Sequence, residues 1–127
     1  MAKQQGIVGA WRVKTEGAPF AYHMFAFHSD GTMQQSNPPA GNTESSDSAG
    51  LGIWAEKDGV VKARFEEYRV AFEDGEVTRG VIDFTIHVEG DRLHGMCCFN
   101  IYDAKTDAHR KGPLAATLTG TRISFDA

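Results

Sequence analysis

Residues 60–103, VVKARFEEYRVAFEDGEVTRGVIDFTIHVEGDRLHGMCCFNIYD, alternate apolar and polar side chains in three long runs separated by Asp74-Gly75 and Gly90-Asp91. Alternation with period two is the pattern of a strand with one buried face, and paired Asp and Gly supply the positive φ angles of a tight hairpin turn. A two-residue turn at Gly90-Asp91 sets Val88 against Leu93, Ile86 against Gly95, Phe84 against Cys97 and Ile82 against Phe99. A two-residue turn at Asp74-Gly75 sets Phe72 against Val77, Arg69 against Gly80, Glu67 against Ile82, Phe65 against Phe84 and Ala63 against Ile86. Both registers gather Val61, Ala63, Phe65, Ile82, Phe84, Ile86, Val88, Leu93, Gly95, Cys97, Phe99 and Ile101 on an interior face. Lys62, Arg64, Glu66, Asp83, Thr85, His87 and His94 fall on the outer one.

Outward from this stretch, Asp58-Gly59 brings Trp54 opposite Ala63 and so into the interior, while Ile53 stays outside. Asp30-Gly31 marks a further hairpin. Strands are expected near 8–15, 21–28, 32–36, 51–56, 60–73, 76–88, 92–103 and 114–124, the last starting after Pro113, which has no N–H to give a ladder. About eight sequentially paired strands without a helical period read as all-β, a single antiparallel up-and-down barrel domain over residues 1–127. Up-and-down connectivity puts the turns at Asp30-Gly31, Asp58-Gly59 and Gly90-Asp91 at one end. The other end carries Asp74-Gly75 and the longer segments 16–20, 37–50 and 104–112, and is the expected mouth.

Gly9-Ala10-Trp11 on the first strand resembles the Gly-x-Trp signature of the lipocalin-like (calycin) barrels, and Arg122 on the last strand matches the arginine that packs across this tryptophan at the closed end. The end assignment independently puts both residues there. The resemblance implies an eight-stranded barrel that holds a small molecule. It also allows cofactor-independent isomerase, cyclase or hydro-lyase chemistry, since some lipocalin-like barrels are enzymes of that kind. The chain departs from the secreted carriers in having no secretion signal, no inter-strand disulfide and no C-terminal helix pattern.

The net charge of −4 comes from 17 acidic and 13 basic residues that are interspersed. That leaves no basic stripe for nucleic acid and no polybasic membrane patch. The polar start, followed by no long apolar run, fits a cytoplasmic protein. Cys97 and Cys98 are adjacent on a strand and point to opposite faces, so they do not pair, and Cys97 reads as a buried small residue. His87, His94 and Asp83 could hold zinc by type, but the charged outer face makes them solvated surface, and no metal or cofactor is expected. Outward Leu51, Ile53, Tyr68 and Val70 form a candidate homodimer patch.

Glu67 and Arg69 interrupt the apolar inward face on the mouth side. A buried charge left unpaired costs several kcal/mol, so each must meet the other, another polar group or a ligand. As catalytic candidates, Arg69 would orient an anionic or carbonyl oxygen and Glu67 would move a proton, with His23 a second proton carrier. His23 faces inward if His23, Phe25 and Phe27 are the inward phase; Tyr22, Met24, Ala26 and His28 form the competing phase. With His23 inward, a two-residue turn at Asp30-Gly31 carries Gln34 and Ser36 inward too. The candidate ligand wall is then Gln34, Ser36, Phe25, Trp54, Phe65, Phe84 and Phe99. No nucleophile elbow accompanies the Ser, His and Glu, so a hydrolytic triad is not expected. Segment 37–50 is either a plain connection or a lid. Two functional classes remain: a cofactor-independent enzyme, or a non-catalytic binding protein for a small molecule or, through a lone inward histidine, haem.

Overall fold

The computed structural model describes residues 6–16, 21–37 and 44–126. Its strands are β1 (Gly9–Glu16), β2 (Tyr22–Phe27), β3 (Thr32–Ser36), β4 (Ser45–Asp47), β5 (Gly50–Lys57), β6 (Val60–Ala71), β7 (Val77–Glu89), β8 (Arg92–Asp103) and β9 (His109–Arg122). All neighbours are antiparallel, β1 pairs with β9, and β6 pairs with β7, so the sheet closes on itself. β7 occupies one edge of β6 through Val70, which leaves the other edge for both β5 and β4. β4 therefore prolongs the line of β5, and the nine strands form a closed barrel of eight staves. No helix among the described residues is long and apolar enough to cross a membrane.

The inward faces supply the core, including Trp11, Phe25, Phe27, Met33, Val61, Phe65, Phe84, Ile86, Leu93 and Cys97, all buried. Lys62, Arg64, His87 and His94 are exposed on the outside, and so are Leu51, Ile53, Tyr68 and Val70. At the closed end Trp11 is fully buried and donates from Nε1 to the Ile7 carbonyl at 2.9 Å. The Arg122 guanidinium lies 4.4 Å from its ring centroid, the contact expected from the sequence.

The hairpins at Asp58-Gly59 and Gly90-Asp91 keep the expected registers, Trp54 with Ala63 and Phe84 with Cys97. The other two differ. Between β6 and β7 the loop has four residues, 72–75, closed by Ala71 N–H to the Glu76 carbonyl at 2.9 Å. Phe65 consequently faces Ile82, Glu67 faces Gly80 and Arg69 faces Thr78. This slip of two residues changes every partner and leaves every side chain on its expected face.

At Asp30-Gly31 the loop has three residues, because His28 N–H bonds to the Thr32 carbonyl at 2.9 Å while Gly31 takes a φ of +91°. Phe27 pairs with Met33 and Phe25 with Gln35. That slip of one residue reverses β3: Met33 and Gln35 are buried at 1% and 2% exposure, whereas Gln34 and Ser36, expected inward, are exposed. The physical reason is burial, since the two-residue register would have put Met33 in water and two polar side chains against Phe25 and Phe27. The last strand also begins earlier than expected. β9 starts at His109 and carries Pro113 within a register irregularity, so segment 104–112 is a short turn followed by strand.

The register of β3 has a direct test in urea unfolding. Met33→Ala should lose about 2–5 kcal/mol as a large-to-small core change, while Gln34→Ala stays within about 0.5 kcal/mol. Trp11→Ala should cost about 3–5 kcal/mol; an unchanged midpoint would mean that the closed end does not depend on that ring.

Candidate functional site

Along β6 the inward side chains run Val61, Ala63, Phe65, Glu67 and Arg69, apolar toward the closed end and charged toward the mouth. Phe65 marks the boundary. Its ring packs on Phe84 (5.5 Å between centroids) and edge-on to Phe25 (6.1 Å), and Phe25 meets Phe84 at 5.4 Å. This aromatic layer, with Phe27 beneath it 5.9 Å from Phe25, fills mid-barrel and forms the floor on which the polar groups sit.

Above the floor the partner of Arg69 is Asp47, directly opposite it on β4, whose Oδ1 accepts from Arg69 Nε at 3.0 Å. Of the three expected outcomes for Arg69, another polar group is the one realised, and Glu67 and Arg69 form no ion pair with each other. Glu67 is half-buried and makes no hydrogen bond or ion pair with a described residue. Burial pushes its carboxyl up to about 7, the Asp47 charge adds to that, and Arg69 partly offsets it. Across the β6–β7 ladder stands Gly80, where a Cβ would make ordinary contact with Glu67 Cγ at 3.5 Å and Ile82 Cδ1 at 3.6 Å.

A second polar group lies on β1, β2 and β3. Tyr22 and Met24 are exposed while Phe25 and Phe27 are buried, so the His23 phase is the inward one. His23 Nε2 lies 3.3 Å from Thr15 Oγ1, and Gln35 Nε2 donates to His23 Nδ1 at 3.0 Å. With the amide so oriented, Nδ1 is the acceptor and Nε2 carries the proton toward Thr15. Gln35 Nε2 also donates to Asn37 Oδ1 at 2.6 Å. Its Oε1 is buried and has no hydrogen-bond partner. Gly50, opposite Gln35 on β5, makes room for it: a Cβ there would lie 3.0 Å from that oxygen and 2.4 Å from Phe65 Cδ1. The Gln35 amide oxygen and the Phe65 ring thus both crowd the inner face of Gly50, and that oxygen is shut off from solvent. No hydrogen bond or ion pair between described residues joins His23 to Glu67 or Arg69.

Of the residues expected to line the site, Phe25, Phe65 and Phe84 form the floor, and Phe99 is inward and half-buried on β8. Trp54 is inward but sits at the closed end, donating from Nε1 to the His28 carbonyl at 2.8 Å and packing on Phe27. Gln34 and Ser36 lie on the outer face. Asp47 and Gln35 were not among the expected residues. Gln35 was legible in the apolar character of Met33 two positions before it; Asp47 stands in a Ser-rich run with no alternation, and only its pairing with β6 turns it inward. Part of the proposed lid, 38–43, and segment 17–20 lie outside the described residues.

Two other clusters lie on the outer face. His87 and His94 stack at 5.3 Å on the outside, but Asp83 is held by Arg64, and no group of three or more metal-ligating residues occurs among those described. A depression of about 310 Å³ on the outer face is lined by Arg64, Glu66, Arg79, Asp83, Tyr102 and Asp107, among others. Both its arginines are already neutralised by carboxylates. No family model matches this chain, and no curated protein and no solved structure matches it.

Glu67 gives the fold a pH dependence of definite sign. Below about pH 4.5 its carboxyl is protonated folded and unfolded alike; between there and about 7 the folded state holds the proton more tightly; above 7 the full burial penalty stands. Stability therefore falls as pH rises through this window, by on the order of 3 kcal/mol from this group. Glu67→Gln should match the wild-type unfolding midpoint near pH 4 and exceed it near pH 8. Equal midpoints at both pH values would contradict the assignment.

Proposed function

We propose that this chain is a lipocalin-like barrel that binds a small, largely apolar organic molecule in its mouth half. The observation that carries the reading is Glu67, a half-buried carboxyl with no hydrogen-bond or ion-pair partner among the described residues, above an aromatic floor and opposite Gly80. An uncompensated buried acid costs stability, and sites that keep one do so for a ligand or a reaction more often than surfaces do. The β8–β9 side suits an apolar body: Phe99 and Ile101 on β8 are half-buried, and Leu114, opposite Phe99, keeps 37% exposure although it faces inward. The lipocalin-like part rests on the closed barrel and on Arg122 stacked across Trp11.

Proton-transfer catalysis is the second reading, favoured by the Glu67 carboxyl standing at about 7, where a group both takes and returns a proton at neutral pH. It fits a cofactor-independent isomerase, cyclase or hydro-lyase. Haem ligation is less favoured, because both ring nitrogens of His23 already have protein neighbours.

Gly80→Leu provides the test, since it adds a bulky apolar side chain opposite Glu67 without altering any charge. Titration with a neutral fluorescent probe, naphthalenemethanol, should show saturable binding to the wild type that weakens at least tenfold in Gly80→Leu, with both proteins folded. Equal affinity in the two would remove the mouth half as the site. Turnover of any bound candidate that disappears in Glu67→Gln while binding persists would select the enzyme.

A further inference from the structure

We infer that the outer face of β1, β9 and β8 is a docking surface for an extended acidic segment of a partner protein. This surface lies outside the barrel and is independent of the mouth half.

Arg64, Arg69, Arg79, Arg110 and Arg122 are each held in an ion pair. Arg12 and Arg92, both exposed, are the two arginines that make none. Eighty residues of chain separate them, yet they flank one side chain: Arg12 on β1 and Arg92 on β8 both pair with Thr121 on β9, from opposite sides. The next outward row repeats the arrangement, with Lys14 and His94 on either side of Thr119. The Lys14 ammonium lies 6.0 Å from the Tyr22 ring centroid and meets no carboxylate. The register thus gathers three uncompensated cations and an imidazole on a chain whose net charge is −4. Dispersed along the sequence, they form no basic run there.

Side-chain length gives this face its form. Ala116 and Leu118 are buried, so β9 turns Thr119 and Thr121 outward. Short threonines between two strands that carry long cationic side chains make a trough, with β9 as its floor. Its walls are two strand spacings, about 10 Å, apart, a width that one extended chain laid along β9 fills. On each wall the rows are two residues, about 7 Å, apart, which is the pitch at which an extended peptide presents side chains on one face. Carboxylates at alternate positions of such a peptide meet Arg12 or Arg92 in one row and Lys14 or His94 in the next. The Thr119 and Thr121 hydroxyls hold no hydrogen bond to a described residue, and each can both donate to and accept from a peptide backbone.

The limits of the trough select among anionic partners. Glu16 follows Lys14 on β1, and Glu89 stands opposite Arg92 on β7, both exposed. A nucleic-acid backbone or an anionic bilayer continues beyond two rows and meets these carboxylates along with the net negative charge of the chain. A peptide confines its acidic residues to the cationic rows, and the planar fork of arginine matches a carboxylate.

Fluorescence anisotropy of a labelled peptide alternating Glu and Thr, titrated with the full chain at low salt, tests the assignment. Binding should be saturable and at least tenfold tighter than that of the matching peptide alternating Gln and Thr. The exposed double variant Arg12→Gln/Arg92→Gln should weaken the Glu peptide at least tenfold. Lys105→Gln/Lys111→Gln, which removes the same charge away from the trough, should leave it within twofold. Thr119→Trp, which fills the floor without altering charge, should also weaken it at least tenfold. No binding, equal affinity for the two peptides, or an equal loss in both double variants would overturn the docking surface. Tighter binding of an oligothymidylate or of phosphatidylserine vesicles than of the Glu peptide would overturn the peptide class.

Discussion

Arg122 joins the last strand to the first and to the β7–β8 turn in one residue. Its guanidinium covers the Trp11 ring, its Nε donates to Asp91, and its terminal nitrogens donate to the carbonyls of Val8, Gly6 and Gly90. Arginine suits this place because its planar fork satisfies several acceptors while its face stacks on an aromatic ring. The seam between β1 and β9 is the closure of the barrel, and Trp11 pairs directly with Arg122 across it. That end is packed by Ile7, Trp11, Phe27 and Trp54, and the inward face of β6 turns from apolar to charged with distance from it.

The polar end is arranged so that one ionisable group stays uncompensated. Asp47 and Arg69 satisfy each other, and because their side chains keep 15% and 37% exposure, their pair is only modestly stabilising. Its larger consequence is for Glu67, which loses its nearest cation to Asp47 and gains a like charge instead. His23, Gln35 and Thr15 form a separate network whose one defect is the Gln35 oxygen. The Gln35 oxygen, buried without a hydrogen-bond partner, is costly to folding, and so is the Glu67 carboxyl once it ionises.

How much of this was legible follows from parity. In a strand, faces repeat every two residues, so an error of two in the β6–β7 loop exchanged all the partners of Phe65, Glu67 and Arg69 and misplaced none of them. An error of one at Asp30-Gly31 exchanged Gln34 and Ser36 for Met33 and Gln35, and with them the identity of the polar lining. Turn residues announce that a hairpin exists; the number of residues in its loop is decided by which register buries the apolar set, and here Met33 against Phe27 decides it.

The sequence by itself determined the antiparallel barrel and the inward placement of Glu67, Arg69, Phe65, Phe84 and Phe99, because each of these follows from local alternation between recognisable turns; the contact of Trp11 with Arg122 came from the resemblance, and the phase that turns Phe25 inward was left open. The tertiary structure alone decided which charges meet. Asp47 lies in a Ser-rich segment without strand periodicity, and it becomes the partner of Arg69 only because β4 finds the free edge of β6 left beyond the end of β5. Charge pairing across a lumen depends on which staves are neighbours and how far each is staggered, and those are properties of the closed sheet that no single strand encodes.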